Sequence, residues 1–583
     1  MTTDTISGLG TTSGRPSRDD PARGEPLDFE AIPLHELLTR SAAASPRSPA
    51  LVFYGRSTSY ASLLRDVQRF ASGLLGLGLH KGDRVGIMLP NCPQAVIAYY
   101  GVLWAGGTVV MINPLYTSRE LRAQVEDSGA RIVIALDQFS DRLEEIREDA
   151  GLEQVVLTGI QERLPRHLRV LFTLKQWRKG RRAKPEHHVG VERFSKLLAS
   201  EPLERAVPVD PMVDLAVLQY TGGTTGAPKA AMLTHANLVA NCQQIRLLYP
   251  GVGDSPMTIM GALPVFHAYG MTVVMNYGIM TGGRILLFPR FELKPILKAI
   301  QKYRPQLFPG VPTMYVAIAN HSQIERFNLR SVEWCISGAA ALPEQVKKSF
   351  EQLTGGRLVE GYGLSEASPV THCNPLEGAQ RPGSIGLPVQ GTECRIVDLE
   401  SGLPVVPGEA GELLVKGPQV MRGYWNRPDE TPAPVTDGWL RTGDVARMDE
   451  DGFFYIVDRK KEIIIVAGHN VYPREVEEVL SSHLAVQEAS VIGIPDPYSG
   501  EAVKAFVVLK ESEGASREDL MGWCRHELAP YKIPRKIEFI AELPKSIIGK
   551  VLRRVLVERE EAARAAEAEG KDTGIHEATA PRR

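Results

Sequence analysis

The chain has 583 residues, of which 43% are apolar and 23% charged, and its formal net charge is −2. A chain of this length folds into more than one domain, and its charge balance gives no reason to expect nucleic acid as a partner. The six cysteines are scattered without a CxxC pair, which argues against a disulfide framework or a zinc site and favours reduced thiols in a cytoplasmic protein.

The first half of the chain predicts a leader followed by a layered α/β region. Residues 1–30 are rich in Gly, Ser, Thr and Pro and have no apolar h-region, so they predict a disordered leader and not a signal peptide. Between residues 50 and 345, strand-like and helix-like segments alternate, which indicates doubly wound α/β layers. The uncharged stretch 85–118 is long enough for a membrane span, but its strand–helix–strand pattern predicts a buried βαβ unit. No transmembrane helix is therefore expected.

A basic segment interrupts this region. Residues 163–184, "RLPRHLRVLFTLKQWRKGRRAK", contain nine Lys or Arg and no acidic residue. Such an amphipathic stretch can lie on an anionic membrane surface, with Phe172 and Trp177 at the acyl boundary. A solvated basic loop that packs its few apolar residues locally explains the same pattern. Both interpretations stay open at the level of the sequence.

The character of the sequence changes in the second half. Short strand-like segments separated by turns occupy residues 383–457, for example "GELLVKG" (411–417), and predict a β-rich subdomain. After "DRKKE" (458–462), one helix-like and several strand-like segments predict a small α+β domain. The end of the chain, 558–583, is rich in Ala and charged residues and predicts a frayed helix followed by disorder.

A loop that follows an apolar strand-like run has the composition of a phosphate site. In "YTGGTTGAPKAAMLTH" (220–235), the glycines tolerate positive φ, so successive N–H groups can converge on an anion, while the threonines and Lys229 add hydroxyl donors and a charge. A Walker A loop is excluded, because Pro228 separates Gly226 from the lysine and Ala230 replaces the next hydroxyl residue. The loop therefore predicts phosphate binding of another kind.

Four further motifs accompany this loop: "EGYGLSEASP" (360–369), "WLRTGDVAR" (439–447), "DRKKEIIIVAGHNVYPREVE" (458–477) and "LPKSIIGKVLRR" (543–554). Together with the loop they have the order and spacing of the acyl-adenylate-forming superfamily, which the chain resembles over residues 35–557. Within that superfamily, "KGDRVGIMLPNCPQ", "NPLYTSREL", "ALPVFHAYGMT" and "VMRGYWNRPDET" are similar to bacterial long-chain fatty-acid–CoA ligases. Five motifs in the same order make the resemblance specific.

The resemblance implies an enzyme with two half-reactions at one site. A carboxylate attacks the α-phosphate of ATP to give acyl-AMP and pyrophosphate, and the thiol of coenzyme A then displaces AMP to form the thioester. ATP, Mg²⁺ and coenzyme A are the implied cofactors and cosubstrates. The implied fold is a large N-terminal AMP-binding domain (31–457), a hinge (458–461), a small mobile α+β lid (462–557) that rotates between the two steps, and a tail (558–583).

The resemblance also assigns a nucleotide site. The loop would hold the β- and γ-phosphates of the leaving pyrophosphate, where charge develops during the attack. Tyr362 would stack on adenine, Asp444 would accept both ribose hydroxyls, and Glu366 with Thr225 would hold magnesium, which prefers hard oxygen ligands. The expected ATP- or AMP-binding residues are Thr221, Gly223, Thr224, Thr225, Gly226, Lys229, Gly338, Ala339, Ala340, Gly361, Tyr362, Gly363, Ser365, Asp444, Ile456 and Arg459.

Three residues have the implied catalytic roles. Lys550 in "SIIGK" would neutralise the charge that develops on the carboxylate and α-phosphate, and would leave when the lid turns. His267 would border the carboxylate site, and Glu366 would act through magnesium. Lys461 matches the hinge position, where a few residues absorb the dihedral change of the rotation.

Two residues match the lid face that is presented for thioester formation, Gly468 and His469. The chain departs from the family pattern at three other positions. Ser365 stands where Thr is usual and keeps the hydroxyl group, while Ala467 and Ala230 stand where Gly is more frequent. Each added methyl group could crowd a close approach of the backbone.

The uncharged segment 270–283, "GMTVVMNYGIMTGG", can form an adaptable wall for an acyl chain, so a medium- to long-chain fatty acid is the expected substrate. A fatty-acyl-AMP ligase that loads a carrier protein, and a CoA ligase for aromatic or other carboxylic acids, share the same motifs. A non-catalytic lipid-binding protein would have lost Lys550, Glu366 or Asp444, and all three are present. Peripheral association with the inner face of the membrane through residues 163–184 and oligomerisation are left open.

Overall fold

The computed structural model describes residues 29–178, 190–221, 229–249, 256–427, 435–510, 514–546 and 549–568. Most of the predicted leader, the phosphate loop between Thr221 and Lys229, the end of the basic segment and residues 569–583 of the tail lie outside the described residues. Glu30, at the predicted end of the leader, is ion-paired with Arg40 at 2.7 Å, so the folded part of the chain already includes this residue.

The first part of the chain alternates helices and strands. In chain order they are α1 (Glu36–Ala44), β1 (Pro49–Phe53), β2 (Arg56–Ser59), α2 (Tyr60–Gly76), β3 (Arg84–Met88), α3 (Pro93–Trp104), β4 (Thr108–Met111), α4 (Ser118–Ser128), β5 (Ile132–Leu136), α5 (Ser140–Ile146), β6 (Gln154–Thr158), α6 (Arg166–Arg178), β7 (Val191–Arg193), α7 (Phe194–Leu197), β8 (Leu215–Thr221), β9 (Lys229–Thr234) and α8 (His235–Leu247). One sheet has the order β7-β6-β5-β3-β4-β8-β9 and is parallel except at its β8–β9 edge.

The predicted βαβ unit is confirmed in β3, α3 and β4. Val85 and Val109 are paired in parallel on the two strands, and every residue of the connecting helix is buried. Pro93 begins this helix, where its missing N–H costs nothing. The helix is apolar because protein covers it on all sides, and none of the described helices is long and apolar enough to cross a membrane.

The next elements build a second α/β layer. They are β10 (Thr258–Gly261), a π-helix (Gly270–Asn276), α9 (Tyr277–Met280), β11 (Arg284–Leu287), α10 (Leu293–Tyr303), α11 (Pro312–Ala319), β12 (Trp334–Ser337), α12 (Glu344–Thr354), β13 (Arg357–Gly363), β14 (Val370–Cys373) and β15 (Leu387–Pro388). Two four-stranded sheets, β10-β11-β1-β2 and β12-β13-β14-β15, are joined through Leu307, which bridges to both Ile259 and Trp334.

The remaining elements form the β-rich subdomain and the small α+β unit. The subdomain contains β16 (Glu393–Val397), β17 (Gly411–Lys416), β18 (Val435–Thr436), β19 (Trp439–Met448) and β20 (Phe454–Arg459), in one sheet. The small unit contains β21 (Ile464–Val466), β22 (His469–Val471), α13 (Pro473–Ser482), β23 (Val486–Asp496), β24 (Gly500–Leu509), α14 (Arg517–Glu527), β25 (Lys536–Phe539) and α15 (Arg553–Ala568). The predicted α/β fold with a small C-terminal domain is confirmed, and a single 3₁₀ turn, Lys460–Glu462, joins the last two sheets.

The basic segment begins as helix α6, and its described part corrects one detail of the membrane interpretation. Phe172 is half-buried and packs with Leu168 against the main core, so it does not face outward. The exposed apolar side chains are instead Val170 and Leu171, with 60% and 61% of their surface exposed. The side chain of Trp177 lies outside the described part of the structure.

Candidate active site

Three of the predicted nucleotide-binding residues meet where strands from two sheets converge. Asp444 on β19 and Arg459 on β20 are direct cross-strand partners, and Nε of Arg459 lies 3.3 Å from Oδ1 of Asp444. The hydroxyl of Tyr362, near the end of β13, donates a hydrogen bond to Oδ2 of Asp444 at 2.5 Å. Burial, and then the charge of Asp444, raise the pKa of Tyr362. The tyrosine therefore stays a neutral donor that fixes the orientation of the carboxylate.

The predicted purine-binding turn follows β12. Gly338 is buried beside Tyr269, and a Cβ atom at this glycine would lie 3.0 Å from the tyrosine ring. Ala339 has a φ of 69°, and the side chains of Ala339 and Ala340 are exposed. The hydroxyl of Tyr269 donates to the carbonyl of Ile336 at 2.7 Å, which anchors the start of the turn. The two alanines thus present an open surface on a fixed base.

Gly361 and Gly363 have steric roles in β13. A Cβ atom at Gly363 would lie 2.0 Å from the carbonyl oxygen of Pro369, and one at Gly361 would lie 2.9 Å from Ile336. A backbone clash of the first kind cannot be relieved by moving a side chain, so Gly363 is required by the fold itself. Close packing at both glycines fixes the backbone on either side of Tyr362.

Glu366 lies in the 3₁₀ turn Ser365–Ala367. The hydroxyl of Tyr424 donates to its Oε1 at 2.8 Å, and Nζ of Lys229 lies 5.4 Å from the centroid of the Tyr424 ring. Residues 421–425 reach this position because they run beside β9, with the amide of Trp425 donating to the carbonyl of Ala230 at 2.9 Å. One tyrosine therefore connects the predicted magnesium ligand to the predicted phosphate lysine.

The sequence prediction missed Tyr424 as a site residue. Its segment, "VMRGYWNRPDET", was informative only as part of the family resemblance, and its contact with Glu366 depends on how the chain returns to β9. Of the predicted phosphate residues, Thr221 donates to the carbonyl of Lys229 at 3.4 Å across β8 and β9. Gly223, Thr224, Thr225 and Gly226 lie outside the described residues.

Lys550 enters the same site from the small C-terminal unit. Its side chain is half-buried, and burial, together with the positive charge of Arg459, lowers its pKa to about 8, while Asp444 opposes this shift. The preceding Gly549 has a φ of 75° and packs against Thr313 at the start of α11, where a Cβ atom would lie 3.0 Å from the threonine side chain. Lys550 is therefore near enough to Asp444 and Arg459 for the charges of both to act on it.

The residues predicted for thioester formation lie on a different face. Ala467 and Gly468, with φ of 48° and 81°, form the two-residue turn between β21 and β22, a conformation that suits a twisted hairpin. Ala467 adopts this left-handed conformation although it carries a Cβ atom, which explains why glycine suits the position. His469 is exposed and stacks on Tyr531 at 4.6 Å between ring centroids. This turn therefore faces solvent.

His267 precedes the π-helix. Burial lowers the pKa of His267 to about 4, so the ring is neutral at physiological pH and acts as a hydrogen-bonding group and not as a cation. The first residue of the π-helix is Gly270, and a side chain is excluded there because a Cβ atom would lie 2.2 Å from the carbonyl oxygen of Pro264. Thr272 of the π-helix donates to the carbonyl of Ser368 at 2.6 Å, which links this segment to the turn that contains Glu366. Wide helical turns of this kind often occur at functional sites.

Two further predicted residues lie next to the hinge. Ile456 on β20 is paired with Ala446, and its carbonyl oxygen accepts a hydrogen bond from Nη1 of Arg474 at 2.9 Å. Lys461 lies in the 3₁₀ turn between the two last sheets, with its side chain exposed. The hinge prediction thus falls on the short segment where the chain leaves one sheet for the next.

The arrangement suits chemistry on a phosphate ester. An acceptor-only carboxylate, Asp444, matches a pair of ribose hydroxyls, while Lys229 and Lys550 are cations that can stabilise phosphate charge. Among the described residues, no three His, Cys, Asp or Glu side chains are arranged to hold a metal ion. A single carboxylate such as Glu366, with phosphate and water completing the shell, is the mode that Mg²⁺ prefers.

Comparison with known families agrees with this geometry. A model described as AMP-binding enzyme matches residues 38–425, and a model described as AMP-binding enzyme C-terminal domain matches residues 475–550. The chain belongs to the AMP-binding enzyme family. This membership confirms the resemblance to adenylate-forming enzymes. The C-terminal family model ends at Lys550, in the small C-terminal unit.

Several relatives of this AMP-binding enzyme have named activities. It is 48% identical over 529 residues to a long-chain-fatty-acid–CoA ligase of Bacillus subtilis strain 168, an alignment that covers 90% of the chain and 94% of the relative. It is 42% identical over 552 residues to the enzyme of the same name from Salmonella typhimurium, with 93% and 97% covered. A feruloyl-CoA synthase from an Amycolatopsis species is 35% identical over 515 residues, with 88% and 96% covered.

One solved relative is represented in two states. This AMP-binding enzyme aligns with ATP-bound MatB from Rhodopseudomonas palustris at 28% identity and a TM-score of 0.80. The alignment covers 91% of this chain and 99% of MatB. With the apo form of the same protein the identity and coverage are the same, but the TM-score is 0.70. The structure is therefore closer to the nucleotide-bound form.

Proposed function

We propose that the protein is an ATP-dependent long-chain fatty-acid–CoA ligase, which forms acyl-AMP and pyrophosphate and then transfers the acyl group to coenzyme A. The observation that carries the proposal is the hydrogen-bonded group of Tyr362, Asp444 and Arg459, whose charges act on the partly buried Lys550. In this proposal Lys550 is the cation that stabilises charge between the carboxylate and the α-phosphate. The similarity to two long-chain-fatty-acid–CoA ligases supports the choice of substrate.

In this proposal each group of residues has one task. Asp444 and Arg459 bind the ribose, Tyr362 lies against the adenine, and the loop 221–229 holds the pyrophosphate that leaves. Lys550 balances the charge that develops during the attack, and the lid turns at Lys461 so that Gly468 and His469 replace it for the second step. Glu366 would hold Mg²⁺, which, when bound, screens the negative charge of the phosphates from the attacking carboxylate.

The acyl chain is proposed to enter along the π-helix. This segment follows His267, which in the proposal borders the carboxylate of the fatty acid. It also contains Met271 and Met275, whose unbranched side chains can repack around a flexible chain. Each methylene that leaves water contributes about 0.8 kcal/mol, so a long chain supplies binding energy that can orient its carboxylate. A shorter or aromatic acid would lack part of this energy.

Activation of aromatic acids is the second candidate, because the feruloyl-CoA synthase is also a relative. The test is ATP–pyrophosphate exchange with a series of acids from octanoate to oleate and with ferulate and benzoate, followed by addition of coenzyme A or of a carrier protein. We expect exchange to require a fatty acid and the thioester to form on coenzyme A. Exchange that is driven better by ferulate, or an acyl group released only onto the carrier, would overturn the proposal.

We further propose that helix α6 docks on anionic lipid. Its exposed residues include Arg166 and Arg169 beside Val170 and Leu171, a combination that favours a negatively charged membrane surface. Replacing Val170 and Leu171 by Asp should abolish cosedimentation with phosphatidylglycerol vesicles. The matched change Leu403→Asp, at another exposed leucine, should not. Equal binding by both variants, or equal binding to phosphatidylcholine, would contradict docking through α6.

A further inference from the structure

The carboxylate of Asp458 connects the last strand of the β-rich subdomain to the lid. It lies at the end of β20, only 4% exposed, and its Oδ1 accepts the backbone N–H of Arg459 at 2.7 Å. Its Oδ2 accepts the backbone N–H of Arg474 at 2.7 Å, which belongs to the first turn of α13. A carboxylate from one side of the hinge therefore caps a helix on the other side.

The side chain of Arg474 makes a second connection of the same kind. Its Nη1 donates to the carbonyl of Ile456 at 2.9 Å, and its Nε contacts Glu478 at 2.8 Å within α13. The contact with Glu478 stays inside the lid, whereas the contact with Ile456 reaches back onto β20. Two residues of β20 are thus held by one residue of the lid.

Arg553 makes the third connection, from the segment just after Lys550. Its Nη1 lies 3.6 Å from Oδ1 of Asp458 and is hydrogen-bonded to Glu462, while its Nη2 donates to Glu477 at 2.6 Å. The guanidinium fork thereby joins β20, the 3₁₀ turn and α13 at one point. The start of α15, and with it the end of the Lys550 loop, is fixed relative to the hinge.

These contacts span the predicted pivot. Asp458 and Ile456 precede Lys461, whereas Arg474 and Arg553 follow it. A rotation at Lys461 would therefore break the hydrogen bond between Arg474 and the carbonyl of Ile456. The contacts observed here coexist with Gly549, next to Lys550, packed against Thr313 of the large domain. They accordingly belong to the orientation of the lid that serves the first half-reaction.

We propose that Asp458, Arg474 and Arg553 form a latch that stabilises the adenylate-forming orientation of the lid, with Arg553 as the positioning residue that ties the Lys550 loop to the hinge. The inference rests on the proposed two-step function. A buried ion pair of this kind contributes little net stability, but it discriminates between two arrangements of the same parts. Weakening the latch should therefore shift the balance between the half-reactions and not abolish both.

The test compares the two half-reactions in the same preparation of the full-length enzyme. One assay measures ATP–pyrophosphate exchange, and the other measures formation of the thioester from supplied acyl-AMP and coenzyme A. Arg553→Met should lower exchange by roughly tenfold, within the usual range of coupling between two states, and should leave the second rate unchanged or higher. Arg553→Lys keeps the positive charge but not the planar guanidinium group. Its exchange rate should lie between that of the unmodified enzyme and that of Arg553→Met.

Arg474→Met provides an independent check, because it leaves the ion pairs of Arg553 inside the lid intact. It should change the ratio of the two rates in the same direction by a smaller factor. The control is Arg559→Met. Arg559 lies on α15, as Arg553 does, and pairs with Glu538 of β25, so its loss should change neither rate. Thermal melting curves establish that each variant is folded.

A proportional loss of both rates in Arg553→Met and Arg474→Met would mean that these residues only stabilise the lid, and unchanged rates in both would mean that no latch exists. The assays use whichever acid supports exchange in the unmodified enzyme. Failure of fatty acids to support exchange therefore overturns the proposed substrate, whereas an unchanged ratio in the variants overturns the latch.

Discussion

The hydroxyl of Tyr424 donates a hydrogen bond to Oε1 of Glu366, with 2.8 Å between the oxygen atoms. The contact joins a segment beside β9 to the 3₁₀ turn that follows β13, and Lys229 lies over the face of the same tyrosine ring. The orientation of the proposed magnesium ligand is therefore set by a residue outside the five motifs, in the way that second-sphere partners orient metal ligands.

Replacement of Tyr424 by Phe should weaken the response to magnesium. The ring and its contact with Lys229 remain, and the hydrogen bond to Glu366 is lost. We expect the Mg²⁺ concentration for half-maximal pyrophosphate exchange to rise by roughly two- to tenfold, the value of one hydrogen bond. Tyr455→Phe removes a comparable contact with Asp449 on the surface of β20 and should have no effect. Identical magnesium titrations for the two variants would disprove the role of Tyr424.

Removal of the Lys550 ammonium group should separate the half-reactions. Lys550→Ala should abolish acid-dependent pyrophosphate exchange but still convert supplied acyl-AMP and coenzyme A to the thioester. The control is Lys545→Ala in the same loop region, whose ammonium group pairs with Glu488 at the surface. Exchange that persists in Lys550→Ala at the rate of the unmodified enzyme would show that the mechanism is wrong.

The protonation of Lys550 should limit the first half-reaction at alkaline pH. Burial lowers the pKa of this lysine to about 8, so the ammonium form, which the proposed role needs, is lost as pH rises through that value. Because kcat/KM reports groups of the free enzyme, kcat/KM for ATP in the exchange assay should fall above pH 8. Thioester formation from supplied acyl-AMP should show no such fall. An exchange profile that stays flat to pH 9.5 would contradict the assignment.

Two glycine substitutions should have opposite effects on stability. Gly270→Ala places a methyl group against the carbonyl of Pro264 and should cost about 1–3 kcal/mol, the usual penalty for overpacking. Gly522 lies on the exposed surface of α14, and no atom is within 4 Å of a Cβ added there. Gly522→Ala should therefore stabilise the helix by about 0.5–1 kcal/mol. Urea unfolding followed by circular dichroism measures both. A midpoint for Gly270→Ala equal to that of the unmodified protein would show that the π-helix can shift.

The sequence predicted the groups that motifs name directly. The family resemblance assigned Asp444, Tyr362 and Arg459 to one nucleotide site, and in the structure these three residues meet. Tyr424 and Thr313 could not be predicted, since their contacts with Glu366 and with Gly549 depend on how remote segments pack. The π-helix was also not predicted, because an apolar run without charges does not distinguish its wider turn from that of an α-helix.

The apolar side chains of the basic segment gave a different kind of error. Leu168 and Phe172 are one helical turn apart and face the core, whereas Val170 and Leu171 face outward. A basic helix with apolar residues on two sides does not reveal, without its neighbours, which side the protein covers.

The meeting of Gly549 with Thr313 sets a clearance for the closed lid. A Cβ atom at residue 549 would lie 3.0 Å from the threonine side chain. A methyl group at this position would therefore push the lid and the large domain apart. The contact between the backbone of Gly549 and the side chain of Thr313 thereby limits how far the Lys550 loop can approach the large domain.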